Sequence, residues 1–222
     1  MRLLHPLLQL LEIAVSKHGV KTMIDVPCGD VNWQFGSWET DSLQGYIGLD
    51  IVPQLITAAQ HRFAHHSNKV FAEWDIIAHC PLPRIQLRGT TQSSSVDLVQ
   101  LRDVLQHLSL EHATAAVRSV FIHGPQFILS TSYPKAGTNE RWRAKGKDRN
   151  PNLDWRATKL DGDGAWTPYD MHQPPFDFPQ PIMCLAAHGA AQTRSTHAFD
   201  ETCLYHLNAT FKDKWIKEHP EP

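Results

Sequence analysis

Three acidic residues stand where apolar, strand-like runs end: Asp25 in TMIDVPCGDVNW, Asp50 in YIGLDI and Asp75 in VFAEWDI. Ligands of a parallel sheet gather at the carboxyl ends of its strands, and an acid about 20 residues beyond the first strand-end meets a ribose diol. Asp50, 25 positions after Asp25, is therefore expected on the ribose, and Asp75 on a purine amino group. The first turn says which nucleoside. A dinucleotide site needs glycines at G-x-G-x-x-G so that backbone N–H groups close on a pyrophosphate. Those positions here hold Pro27, Gly29 and Asn32. Pro27 has no N–H to give, and Asp30 sets a negative charge where phosphates would lie. A cofactor without phosphates, carrying an ammonium and a sulfonium, suits this turn, and S-adenosylmethionine is that cofactor.

Each residue of the turn then has an expected place. Asp25 receives the ammonium, directly or through water, with Pro27, Cys28, Gly29 and Asp30 shaping the turn around it. Asn32 and Trp33 open a first helix and floor the methionine pocket. Trp74 and Ile76 flank Asp75 and are candidates to pack on the purine, and Ile51 and Arg102 complete the expected cofactor shell.

A fourth strand-end, in LRDVLQHLS, carries the best catalytic constellation. If Asp103 opens a helical turn, Asp103 and His107 share a face at i, i+4, and a histidine beside a carboxylate is a tunable base for a hydroxyl acceptor. The competing reading is positioning alone, because methyl transfer to a nucleophilic atom needs chiefly collinear sulfonium, methyl and acceptor. No Asn/Asp-Pro-Pro-aromatic tetrapeptide follows this strand, so methylation of planar amino groups in nucleic acid loses its main support and oxygen acceptors gain by elimination. Among the 14 histidines, His61 and His65 stand at i, i+4 without a third ligand at zinc spacing, and no metal is expected.

Alternating strand and helix patterns must position these groups, which predicts a doubly wound, Rossmann-like α/β sheet in a single domain, residues 1–222. The spacing of Leu4, Leu7, Leu8, Leu11 and Val15 predicts an amphipathic helix on the sheet; Pro6, Gln9 and Glu12 interrupt the run that a leader peptide would need. Residues 53–66 form a helix opened by Pro53, and Ser109 caps another that Gly124-Pro125 stops. Residues 182–188 and 202–208 are expected to pair, although IMCLAAH is equally open to a partly helical reading. With 222 residues, 41% apolar content and a net charge of −2, the chain can bury a full core and offers no general electrostatic attraction to nucleic acid or an anionic membrane. No apolar run reaches the length of a membrane span. Cys28, Cys80, Cys184 and Cys203 lack C-x-x-C spacing and read as free buried thiols, which favours a reducing, cytoplasmic compartment.

Residues 135–159 hold eight Lys or Arg against Glu140, Asp148 and Asp154. The segment 134–166 is expected to be a basic insertion serving as a lid, or a solvated insertion with no role. Arg141, Arg143, Lys147 and Arg149 would attract an acidic acceptor and Trp142 or Trp155 would stack on a ring.

DVPCGDVNW, YIGLDI, LRDVLQHLS and WTPYDMHQPPFDFP, in that order, resemble the class I S-adenosylmethionine-dependent methyltransferases, specifically the group reading D-x-P-C-G-D-x-N-W. The resemblance spans nearly the whole chain. It departs at Leu101, where the group has Cys, at Thr167-Pro168, and in a longer segment between Tyr133 and Asn152, all toward the acceptor. It implies seven strands in the order 3-2-1-4-5-7-6, the last antiparallel. It also implies Asn152 and Asp154 as acceptor-binding residues, with Trp166 walling the acceptor pocket or packing the lid onto the sheet. The expected activity is methyl transfer from S-adenosylmethionine to an oxygen of a small molecule or glycan. The alternative is a non-catalytic module that keeps the fold to bind cofactor or partner.

Overall fold

The computed structural model describes residues 6–35, 41–78, 82–83, 96–134, 167–186 and 201–220. Seven strands, β1 (Thr22–Asp25), β2 (Gly45–Asp50), β3 (Lys69–Glu73), β4 (Leu98–Leu101), β5 (Phe127–Ser132), β6 (Met183–Ala186) and β7 (Glu201–His206), make one sheet. Their order is β3-β2-β1-β4-β5-β7-β6, as expected. β1 pairs in parallel with β2 and β4, β2 with β3, and β4 with β5, whereas β7 runs antiparallel to β5 and β6. The first four pairings put Asp25, Asp50, the residues after Glu73 and those after Leu101 at one edge of the sheet.

Period-two alternation sends neighbouring side chains of each strand to opposite faces, and both faces are covered. Met23, Leu98 and Leu129 face helix α1 (Pro6–His18) and helix α2 (Pro53–Arg62); Ile24, Val99 and Ile128 face helix α3 (Leu110–His123) and helix α4 (Ala209–Glu218). α1 buries Leu7, Leu10, Leu11 and Ala14, so its stripe runs through Leu10 and Ala14 where the sequence pattern favoured Leu8 and Val15, both only partly buried. α3 starts at the expected cap, Ser109 Oγ accepting from the His112 N–H at 3.2 Å, and stops at Gly124, whose φ of 87° is left-handed. IMCLAAH supplies strand β6, which closes the sheet beside β7.

Gly48 is required by close approach. A Cβ there would lie 2.6 Å from the Phe71 ring and 3.1 Å from Cys28 Sγ, so only glycine lets β2 run between them.

The cysteines correct the expectation of four free thiols. Cys184 and Cys203 are register partners across β6 and β7 and form a disulfide; Cys28 is free and buried, and Cys80 lies outside the described residues. The spacing of 19 in sequence hid a pair that antiparallel register brings together, and the argument for a reducing compartment loses its premise. No helix among the described residues is long and apolar enough to cross a membrane.

Candidate functional site

The turn after β1 is pinned from three sides. The Val26 N–H donates to the Gln100 carbonyl at 3.1 Å, the Cys28 N–H to the Leu49 carbonyl at 2.8 Å, and the Gly29 N–H to Asp50 Oδ2 at 2.9 Å. The Val26–Pro27 peptide is cis, and Gly29 takes a φ of 61° that a residue with Cβ rarely adopts. Asp50 Oδ1 also accepts from the Val52 N–H at 3.0 Å. Its carboxylate is therefore held at the end of β2 by one backbone donor on each oxygen, with lone pairs to spare. Ile51 beside it is 58% exposed, the most exposed of the large apolar side chains among the described residues.

Asp25 is fully buried, and its environment explains how a strand-end acid is kept there. Gln34 Nε2 at 3.0 Å and the Tyr46 hydroxyl at 2.7 Å donate to Oδ2, and Gln100 Nε2 at 2.6 Å donates to Oδ1. Burial raises its pKa to about 6, and the three donors with the Arg102 charge hold it from going higher. Burial and the neighbouring Asp25 raise the Tyr46 hydroxyl well above its ordinary value, and burial does the same to the Cys28 thiol. Gln34 Nε2 also reaches the Cys28 carbonyl at 2.6 Å, so one amide ties the acid to the turn. Gln34, Tyr46 and Gln100 were missed from sequence. A glutamine inside the otherwise apolar β4 was the available signal.

The other expected residues fall as follows. Asp75 Oδ1 accepts from the Ile77 and Ala78 N–H groups at 2.8 and 3.2 Å, turning the chain after β3, with Ile76 buried beside it. Asn32 Nδ2 donates to Asp30 Oδ2 at 2.6 Å, and Arg62 of α2 donates to Asn32 Oδ1 at 3.1 Å, so this exposed pair binds the turn to α2. Asn32 and Trp33 lie in a turn and open no helix among the described residues. Arg102 pairs with Asp103 Oδ2 at 3.1 Å and lies 5.7 Å over the Trp33 ring, joining the ends of β1 and β4.

Asp103 departs from the helical turn its spacing suggested. Its φ is 53°, the 3-10 turn spans only Leu105–His107, and the i, i+4 face with His107 does not form. The cause is local. The Asp103 N–H donates to Thr131 Oγ1 at 3.1 Å, Thr131 Oγ1 donates back to Oδ1 at 3.3 Å, and Gln106 Nε2 reaches the same oxygen at 3.4 Å. That closed ring holds the left-handed backbone against β5. Asp103 and His107 both present exposed side chains at this edge.

Segment 167–178 docks on the same strand end, the Thr167 N–H donating to the Gln106 carbonyl at 2.7 Å and the Tyr169 hydroxyl to the Leu108 carbonyl at 2.9 Å. Phe176 and Phe178 are buried, and Trp215 Nε1 donates to the Pro175 carbonyl at 2.8 Å, so P-P-F-D-F-P is a wall of the α3/α4 core. Asn152, Asp154, Trp166 and the basic segment 135–159 lie outside the described residues.

Neither a family model nor a curated protein matches the sequence. Solved structures do match the fold. The methyltransferase domain of bacterial-CtHen1-C superposes with a TM-score of 0.59 at 14% identity, covering 92% of this chain and 98% of that one. N-methyltransferase NodS from Bradyrhizobium japonicum WM9, in complex with S-adenosyl-l-homocysteine, gives 0.57 at 15% identity over 90% of this chain and 84% of its own. Magnesium protoporphyrin IX methyltransferase (ChlM) from Synechocystis PCC 6803, with bound SAH, gives 0.56 at 12% identity over 90% and 81%. The chain has the seven-stranded fold of these methyltransferases.

Proposed function

We propose that this protein is an S-adenosylmethionine-dependent methyltransferase acting on an oxygen of a small molecule or glycan. The observation that carries it is the Asp50–Gly29 pair: a strand-end carboxylate oriented by backbone N–H groups against a turn that lacks the donors for a pyrophosphate. The surroundings of Asp25 also suit a cation. Gln100 Oε1, beside Asp25, is buried with no hydrogen-bond partner among the described residues and would accept from an ammonium. The SAH bound in NodS and in ChlM, which share the fold, supports the same reading.

When bound, S-adenosylmethionine supplies an electrophilic methyl on a sulfonium. In this reading Asp50 holds the ribose hydroxyls, Asp75 the adenine amino group, and Ile51 and Ile76 pack on the purine. Asp25 and Gln100 lie on the ammonium side, with Pro27, Cys28, Gly29 and Asp30 forming the turn and Asn32 and Trp33 its floor. Arg102 keeps Trp33 and Asp103 together. Asp103 or His107 takes the proton of the acceptor hydroxyl, and Asn152, Asp154 and Trp166 bind the acceptor.

Isothermal titration tests the reading. S-adenosylmethionine and S-adenosylhomocysteine bind, NAD does not, and Asp50→Ala loses about 1–3 kcal/mol of cofactor affinity because buried hydroxyls are left unpaired. Comparable heat from NAD with none from the sulfonium compound would overturn it. Asp103→Asn and His107→Ala keep cofactor affinity and lower turnover by roughly 10²–10⁴-fold; full turnover in both leaves positioning as the whole of catalysis.

A further inference from the structure

The antiparallel edge gathers a second set of reactive side chains, on the α3/α4 face. The β6–β7 register sets Cys184 opposite Cys203, and Glu201, two residues before Cys203, shares its face. Glu201 Oε2 lies 4.0 Å from Cys203 Sγ, and one ligand atom from each of the three residues falls within 4.8 Å of the others. A disulfide that served only as a staple would need no carboxylate against its sulfur.

His172 is the second observation. Its Nδ1 lies 3.2 Å from Oδ1 of the buried Asp170, while its Nε2 is buried with no hydrogen-bond partner among the described residues. The ring sits 5.8 Å from Tyr205, two residues beyond Cys203 on the same face. An imidazole oriented by a carboxylate through one nitrogen, with the other unengaged, is how proteins prepare a histidine for a metal.

We propose that Cys184 and Cys203 in their reduced form, with Glu201, make a site for a thiophilic divalent cation, Zn²⁺, which the disulfide form abolishes. A dithiol reductant gives two electrons and two protons to the Cys184–Cys203 bond and is itself oxidised to a disulfide. Zn²⁺ then displaces the two thiol protons to solvent and bonds both thiolates and the Glu201 carboxylate, leaving a fourth position for His172 or water. Two thiolates select against Mg²⁺ and Ca²⁺, which take oxygen ligands. The ion would hold β6 on β7 when the covalent link is open, so the edge strand stays fastened in either redox state.

The test compares full-length protein, oxidised and reduced, with the reductant removed anaerobically before titration with Co²⁺ and then Zn²⁺. Reduced protein is expected to bind one equivalent of Co²⁺ with a thiolate-to-metal charge-transfer band that Zn²⁺ bleaches; oxidised protein shows no band. Cys184→Ser removes the band, and Glu201→Gln and His172→Ala each weaken Zn²⁺ by about tenfold. Cys184 sits half-buried on an edge strand, so its variant is checked for native circular dichroism. Should it be unfolded, protection of both cysteines from alkylation by Zn²⁺ in the reduced wild-type protein gives the same answer. A band that survives Cys184→Ser, equal binding by the oxidised protein, or no band and no protection on reduction overturns the proposal.

Discussion

The two halves of the sheet hold polar groups at their strand ends by different means. In the parallel half, β3-β2-β1-β4, three acids are oriented without a covalent link: Asp50 and Asp75 by backbone N–H groups, Asp25 by three buried side-chain donors. In the antiparallel half the edge strand β6 leaves Met183 40% exposed and is joined to β7 by the Cys184–Cys203 disulfide. A strand covered on both faces can be positioned by packing and hydrogen bonds; one that buries little has less to hold it. Geometry useful for binding is thus bought in the parallel half with a buried charge.

The largest effect should come from breaking the network around that charge. Asp25→Ala strips the acceptor from Gln34, Tyr46 and Gln100 together and is expected to cost about 3–5 kcal/mol in urea unfolding. Asp25→Asn sharpens the point through pH. The folded pKa of about 6 lies above the ordinary aspartate value of 3.8, so between them the native state holds a proton that the unfolded chain has lost. Stability from this group is therefore fully present below about pH 4 and falls by up to about 3 kcal/mol as pH rises through 6. The asparagine variant should lack that fall. Matching slopes in the two proteins would mean Asp25 is ionised throughout, and the hub would be an ordinary ion site.

Opening the covalent link tests the other half. Reducing the disulfide in the presence of a chelator frees a loop of 19 residues and should lower stability by about 3 kcal/mol, read as a shift in the urea midpoint. Cofactor affinity should stay unchanged, because the strand-end acids belong to the parallel half. A matching loss of cofactor affinity would show that the halves are coupled and that the contrast between them is wrong.

Much of this was legible from local chemistry. The alternating strands and helices, the Ser109 cap and the Gly124 stop follow from residues near one another in sequence, and the structure has them, although Asn32 and Trp33 open no helix among the described residues and the helix from Pro53 ends at Arg62 rather than at residue 66. The seven-strand order came from the family resemblance, and the structure has that too. What could not be read was contact between distant residues. Gln100 lies 75 positions from Asp25, Thr131 lies 28 from Asp103, and Cys203 lies 19 from Cys184, and each partnership exists only through sheet register. The failed i, i+4 face has the same origin: Asp103 and His107 are helical neighbours by spacing, but a hydroxyl on β5 pulls Asp103 into the left-handed region.

That hydroxyl offers the smallest and most selective prediction. Thr131→Val keeps the shape of the side chain while removing the oxygen that accepts from the Asp103 N–H and donates to its carboxylate. Thr131 is buried, so an unsatisfied N–H and a left-handed aspartate without its brace should cost about 1–2 kcal/mol of stability. Thr131→Ser restores the hydroxyl and should recover most of that loss. Cofactor affinity should hold in both variants, since Asp25, Asp50 and Asp75 make no bond to Thr131 among the described residues. In the methyltransferase reading, the valine variant alone should lose turnover, with kcat falling more than KM rises, because Asp103 would be present but misaimed. Equal turnover in the two variants would place Asp103 outside the chemistry and leave Thr131 a purely structural brace.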